Sequence, residues 1–349
     1  MKTLNVLILG VGGNVSMGIL AAIRYSKLPC RIVGACVSPD SLGLYYCDAA
    51  YIAPYASDKQ FIRWVVDICN REQIDIIFTG VEENVLALEL GRDYLESHTK
   101  AIFVASAYEK LLIGQNKYAT AKWLKDNGCH YPAFAKNSDQ EAVRELIENV
   151  GFPIIAKPNS GKGSSGVFVV NSERDLEQIG DKDYCLQQMV GDSASEYTVA
   201  CYVDKSGEQQ KMIVMHRTLK HGTTFMAEIC HDESIEHECI KICNAFKPKG
   251  PLNIQLRVND GVPVCFELNV RFSGTTPIRA RWGYNDVEMM IREYLLNEPV
   301  HFNPQKTGKV YRYYNEAFID VSMQRMLAEE GFVKDCNEFN NSQNILKCC

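Results

Sequence analysis

Residues 266–274 read FELNVRFSG. Every second residue is polar: Glu267, Asn269, Arg271. The residues between them, Phe266, Leu268, Val270 and Phe272, are apolar. Successive side chains of a strand point to opposite faces, so the stretch predicts a strand with the polar triplet on one face and the apolar set packed on the other. A half-exposed strand needs only some mixture of polar residues on its wet side. A carboxylate, a neutral amide and a guanidinium in succession are a more pointed choice. Glu and Asn oxygens suit Mg²⁺, which usually takes one or two carboxylates together with the phosphates of a bound nucleotide. Arg271 would meet the phosphate or oxyanion, and Gln255 on the preceding strand would add an oxygen. Taken alone, the stretch fits either a metal-and-phosphate face or a solvated one.

Two further segments carry candidate chemistry. In IIAKPNSGKGSSGVFVV (154–170) a strand delivers Lys157, and a Ser/Gly/Lys/Asn loop leads into another strand. It is not the G-x-x-x-x-G-K-[ST] loop, because no Lys-Ser follows Gly166 and a strand follows rather than a helix. Backbone N–H groups of Ser160, Gly161, Gly163, Ser164, Ser165 and Gly166 can still close over phosphates, with Lys157 as a point charge. A plain hairpin turn with a solvated lysine is the other reading. In CLQQMVGDSASEYTVACYV (185–203) backbone groups of Gln188, Met189 and Val190 can hold an adenine edge, and Glu196 can accept from ribose hydroxyls. An ordinary strand–loop–strand reads the same way.

Around these segments the texture is largely antiparallel: FPIIAKP, GVFVV, YCLQQMV, EYTVACYV, QKMIVMHRT and TTFMAEI are strands with short turns, and LNIQLRV and VPVCFELNV are joined by the turn NDG. The first 112 residues differ. LNVLIL, RIVGACV, IDIIFT and AIFVA are apolar strands alternating with helices, which predicts a parallel, doubly wound sheet. LGVGGNVSMGI follows a strand and opens a helix, as a dinucleotide fingerprint does. Gly10 and Gly12 fit that fingerprint, but Val15 stands at its third glycine and no acidic residue ends RIVGACV, which disfavours an NAD site.

The 349 residues allow two or three domains. A net charge of −6 speaks against a nucleic-acid binder. The chain has no apolar run of spanning length, so no membrane association is expected. Leu4–Leu9 runs into glycines and reads as a buried strand rather than a secretion signal. The 14 cysteines form no C-x-x-C pair and read as reduced core thiols of a cytoplasmic protein. Cys230, His231, His237, Cys239 and Cys243 suggest zinc, yet Ile235, Cys239, Ile242 and Phe246 recur at helical spacing after a cap at Asp232, which makes this a buried helix stripe.

The order and spacing of these parts resemble the ATP-grasp superfamily of ATP-dependent ligases, with the texture of its carbamoyl-phosphate-synthase-like branch. The resemblance extends to about residue 300. It implies an α/β and α+β architecture: a Rossmann-like pre-ATP-grasp domain with a parallel sheet (1–112), an ATP-grasp small subdomain with the glycine loop (113–190), a large subdomain with the metal site (191–305) and a C-terminal extension (306–349). It also implies that Lys117 in GQNKYAT and Lys157 contact nucleotide phosphates, that Gln187–Val190 is the hinge and Glu196 the ribose ligand, and that Glu267 and Asn269, with Gln255, hold Mg²⁺ or Mn²⁺ beside ATP. Departures from the pattern are Asn116 where an Asp is common, Val270 where a Pro is common, and Gln255 where many members carry a carboxylate. The chain is too short for the duplicated halves of carbamoyl-phosphate synthase itself.

The implied activity is a carboxylate–amine or carboxylate–thiol ligase that forms C–N bonds through an acyl phosphate and releases ADP and phosphate, with Arg271 and Arg217 as catalytic candidates. Arg279 and Arg281 are further candidates for an acceptor clamp. The expected partners are small-molecule carboxylate and amine substrates, and a homodimer is compatible with the chain. A catalytically silent ATP-binding sensor or scaffold is the rival reading, and an NAD-dependent dehydrogenase a second.

Overall fold

The computed structural model describes residues 2–161, 165–208, 210–300 and 302–336. The described residues divide into two compact units: those within 1–105, 271–304 and 313–349 form the first, and those within 106–270 and 305–312 form the second.

The first unit is built on a six-stranded sheet. Its strands are β1 (Leu4–Leu9), β2 (Cys30–Cys36), β3 (Ala49–Ile52), β4 (Ile76–Thr79), β5 (Ile102–Phe103) and β16 (Phe332–Val333), in the order β16-β3-β2-β1-β4-β5. Strands β1 to β5 run parallel, and β16 adds an antiparallel edge. The parallel strands read as unbroken apolar runs because helices cover such a sheet: Val6, Leu7, Ile8, Ile32, Val33, Ile76, Ile77 and Phe78 are all buried. The helix Asn14–Tyr25 follows β1, and Gly10 turns the chain between them at φ +64. A Cβ at Gly10 would lie 2.3 Å from Val81 Cγ2, so close packing as well as φ requires glycine there.

Two sheets make up the second unit. The smaller contains β6 (Phe134–Lys136), β7 (Ile154–Pro158), β8 (Phe168–Val170) and β9 (Tyr184–Gln188), ordered β6-β9-β7-β8 and antiparallel throughout. Its dry face carries Ala135, Ile154, Ala156, Val170 and Leu186, which pack with Val143 and Leu146 of the helix Gln140–Val150. The larger sheet contains β10 (Glu196–Val203), β11 (Gln210–Lys220), β12 (Thr223–Cys230), β13 (Gly250–Asn259), β14 (Val262–Asn269) and β15 (Lys309–Tyr311), ordered β14-β13-β10-β11-β12-β15. The helix Glu233–Phe246 follows β12. Asp232 caps it by accepting from Ser234 N and Ile235 N, and Ile235, Cys239, Ile242 and Phe246 are buried at the predicted spacing. All described cysteines are free thiols; Cys30 and Cys230 are part-exposed and the others buried.

The stretch QNKYATAKWLKDNG forms the helix Lys117–Asp126, and another helix, Tyr108–Gln115, precedes it, the two broken at Asn116. Asn116 is extended at φ −105, ψ 121, and its side chain caps the second helix by accepting from Ala119 N at 2.8 Å. The amide thus makes the cap that an Asp would make. Gly114, in the last turn of the first helix, lies against β14: a Cβ there would be 3.0 Å from the Leu268 carbonyl oxygen.

Candidate functional site

Residues directly opposite one another in an antiparallel ladder share a face. Gln255 on β13 faces Glu267 on β14, Asn253 faces Asn269, and Thr198 on β10 faces Gln255. One surface of the larger sheet therefore presents Gln255, Glu267, Asn269, Asn253 and Thr198. Asn253 accepts from Thr198 Oγ1 at 3.0 Å. The amide Nδ2 atoms of Asn253 and Asn269 are buried donors without a hydrogen-bond partner among the described residues.

The alternation read from the sequence breaks at Phe266. Gln255 pairs with Glu267, but Leu256 pairs with Cys265, so Phe266 is the extra residue of a β-bulge. Its ring lies 4.9 Å from Lys157 Nζ and 5.9 Å from Arg257 Cζ. The bulge turns Phe266 toward the polar face, whereas the sequence pattern assigned it to the apolar set. The strand also stops at Asn269. Arg271 lies beyond it, outside the pleat that would have aligned it with Glu267, and its Nη1 donates to the Phe272 carbonyl at 2.9 Å.

Both candidate phosphate lysines come to this face. Lys117, the first residue of its helix, forms an ion pair with Glu267 at 3.0 Å, and both side chains are largely shielded from water. Lys157, on β7 of the smaller sheet, donates to Gln187 Oε1 at 2.7 Å. Asn159 ties the two lysine-bearing segments together, a link not visible in the sequence. Its carbonyl accepts from Lys117 N at 3.0 Å, its Oδ1 from Tyr118 N at 3.3 Å, and its Nδ2 donates to Asp183. The helix start and the base of the glycine loop are thereby held as one piece. Of that loop, Ser160, Gly161, Ser165 and Gly166 are described; Gly163 and Ser164 lie outside the described residues.

Glu196 is buried under two guanidinium groups. Arg217 donates to its Oε1 from Nε (3.1 Å) and Nη2 (2.8 Å), and Arg257 to its Oε2 at the same two distances. Arg217 also reaches Gln255 Oε1 at 2.7 Å and Thr224 Oγ1 at 3.4 Å. Arg217 is thus committed to Glu196 and to the oxygen face, and both Glu196 oxygens already carry charged donors. In the segment after β9, the Val190 carbonyl accepts from Arg257 at 3.3 Å, Gln188 N donates to the Ala133 carbonyl at 2.8 Å, and Met189 is 40% exposed. Arg279 is not a surface clamp. It is buried, paired with Asp286 at 2.6 Å, and donates to Ser273 and Thr275. Arg281 is exposed, with its guanidinium 5.1 Å from the Tyr25 ring centre.

The donor set suits a hard divalent cation: one carboxylate and two amide oxygens at adjoining strand positions. The ammonium of Lys117 on Glu267 and the guanidinium of Arg217 on Gln255 show that these oxygens already attract positive charge. Among the described residues no group of three or more His, Cys, Asp or Glu side chains could hold a metal ion.

Burial pushes the Lys157 ammonium down to about 8, and Lys117 and Arg257 push the same way, while Glu267 and Cys185 oppose them. An unfolded lysine titrates near 10.4. Between these values the unfolded chain binds more protons, so this group's contribution to stability rises with pH from about 8 to about 10. Urea midpoints for wild type and Lys157→Met should diverge in favour of wild type across that window. A constant difference would show an ordinary amine.

Two family models match the chain: an ATP-grasp domain over residues 114–275 and a PylC-like N-terminal domain over residues 6–102. The carbamoyl phosphate synthase large chain of Pseudothermotoga lettingae is 26% identical over 259 residues, covering 69% of this chain and 23% of that protein. That of Saccharolobus islandicus is 21% identical over 242 residues, covering 64% and 22%. The chain thus spans under a quarter of the length of these relatives. N5-carboxyaminoimidazole synthetase from Staphylococcus aureus, complexed with ADP, superposes with a TM-score of 0.72 at 16% identity over 90% of this chain and 83% of that one. Biotin carboxylase from Campylobacter jejuni, in a β,γ-ATP complex, gives 0.66 at 18% identity over 86% and 72%. At these identities the structural likenesses establish the fold.

Proposed function

We propose that this chain, which carries an ATP-grasp domain at residues 114–275, is an ATP-dependent ligase that activates a small carboxylate as an acyl phosphate and passes the acyl group to an amine, with a thiol as the alternative nucleophile. One observation carries the reading: two lysines from separate segments converge on a strand face that presents the side-chain oxygens of Glu267, Gln255 and Asn269. Two of the solved structures of this fold hold nucleotides, ADP in one and a β,γ-ATP species in the other.

In this reading Lys117 and Lys157 hold the triphosphate, with backbone N–H groups of Ser160, Gly161, Ser165 and Gly166 beside it. Gln188, Met189 and Val190 border the base. Glu196 lies toward the ribose, fixed by its two arginines. Glu267, Asn269 and Gln255 would hold Mg²⁺ (or Mn²⁺), which supplies charge neutralisation at the phosphate oxygens. A carboxylate oxygen of the substrate attacks the γ-phosphorus and the bond to the β-bridging oxygen breaks, releasing ADP. The amine then attacks the acyl carbon, phosphate leaves with the former carboxylate oxygen, and the amine loses a proton. Arg271 stabilises the oxyanion in these steps, and Arg217 holds Gln255 and Glu196 in place. Positioning and charge supply most of the catalysis.

The direct test has two stages. Thermal shift with Mg·ADP should stabilise the protein, by about 2.7 kcal/mol at 100 times Kd. A screen of amino acids, peptides and sugar acids, with and without amines, should then find a pair that releases ADP and phosphate together. Nucleotide binding with no stimulated turnover across the panel would make the protein a sensor. Stabilisation by NAD and not by ADP would end the ligase reading.

A further inference from the structure

Gln187 occupies the middle of β9, between β6 and β7, and is almost fully buried. The opposite face of this sheet is dry core: Ile154, Ala156 and Leu186. On the Gln187 side, its strand neighbours are Phe134, Ile155 and Cys185. An amide in such a place must find partners or weaken the fold. Gln187 finds one strong one. Its Oε1 accepts from Lys157 Nζ at 2.7 Å. Its Nε2 has no full hydrogen-bond partner among the described residues and lies by the Cys185 thiol, a weak acceptor. A leucine or methionine would satisfy the packing without leaving a donor unmet, so packing does not account for the residue.

A lysine stem has four rotatable bonds, and a free amine sweeps a wide arc. Here two fixed groups limit it: the Gln187 carbonyl and the Phe266 ring. An ammonium has three N–H donors. With one given to Gln187, others remain to point at a phosphate oxygen. We propose that Gln187 is a positioning residue, which pre-orients the Lys157 ammonium for the phosphates of the bound nucleotide. The proposal rests on the nucleotide reading above and adds to it a residue that touches the nucleotide only through Lys157.

The test is calorimetric binding of ADP and of adenosine to wild type, Gln187→Met, Gln187→Asn, Lys157→Met and the double variant Gln187→Met/Lys157→Met. Methionine keeps the volume and removes the acceptor. Asparagine keeps an amide but draws the carbonyl back by one methylene, and serves if the methionine variant does not fold. Each single Gln187 variant should bind ADP roughly tenfold more weakly, as expected for loss of a hydrogen bond to a charged group, and should bind adenosine as wild type does. In the Lys157→Met background the Gln187 change should add nothing, because contacting residues are not additive. Equal losses for ADP and adenosine, or a full further loss in the Lys157→Met background, would overturn the positioning role and leave the nucleotide site standing. Wild-type protein that binds neither ligand would overturn both.

Discussion

Glu267→Gln should lower acceptor-dependent ATP turnover by about 10³-fold or more, the scale expected when several kcal/mol of charge stabilisation at the phosphates is withdrawn. The change is nearly isosteric and lies on a strand whose other face, with Cys265 and Leu268, remains packed, so the unfolding temperature should move little. It replaces the one carboxylate of the donor set and removes the ionic partner of Lys117. Lys117 then no longer has a competing anion, so ADP measured without divalent metal should bind as well as before, or better. Turnover and metal-free binding should therefore part company. A Glu267→Gln protein that turns over at the parental rate would place the chemistry elsewhere.

Arg271→Ala should cost roughly 10²–10³ in turnover, the usual loss of one oxyanion-stabilising donor. ADP affinity should hold, because the nucleotide phosphates are assigned to Lys117 and Lys157. Arg271→Lys should not rescue the rate, since an ammonium cannot reproduce the planar fork of a guanidinium. In the structure this side chain makes a local bond to the Phe272 carbonyl, which a ligand oxyanion would have to outcompete. A parental rate in Arg271→Ala with the true substrates would refute the assignment. A loss of ADP affinity equal to the loss of rate would make Arg271 a nucleotide contact instead.

Local pattern located most of these residues. Lys157 at the end of a strand before a glycine loop, and Glu267 and Asn269 two apart near the end of another, could be read from periodicity two and turn chemistry. The Asp232 cap and the stripe Ile235, Cys239, Ile242 and Phe246 could be read from helical spacing. Glu196 shows what such reading misses. It reads as a lone acidic residue opening a strand, yet its strand neighbours bring Arg217 and Arg257 to both of its oxygens. Arg279 is a similar case: nothing in RFSGTTPIRARWGYN marks it as buried, and only packing pairs it with Asp286.

Apart from Lys117, which only the family resemblance marked, the sequence alone located the main strands, the helix after Asp232, Lys157 and the oxygen-bearing strand. Those properties follow from side-chain periodicity and from residues such as Asn116 that act on their immediate neighbours. The tertiary structure alone decided the direction of Phe266, the pairing of Lys117 with Glu267, the anchoring by Asn159 and the hold of Gln187 on Lys157. Each depends on register or on contacts between residues 30 to 150 positions apart. A one-residue slip in a ladder reverses a side chain, and a local pattern has no means of fixing that register.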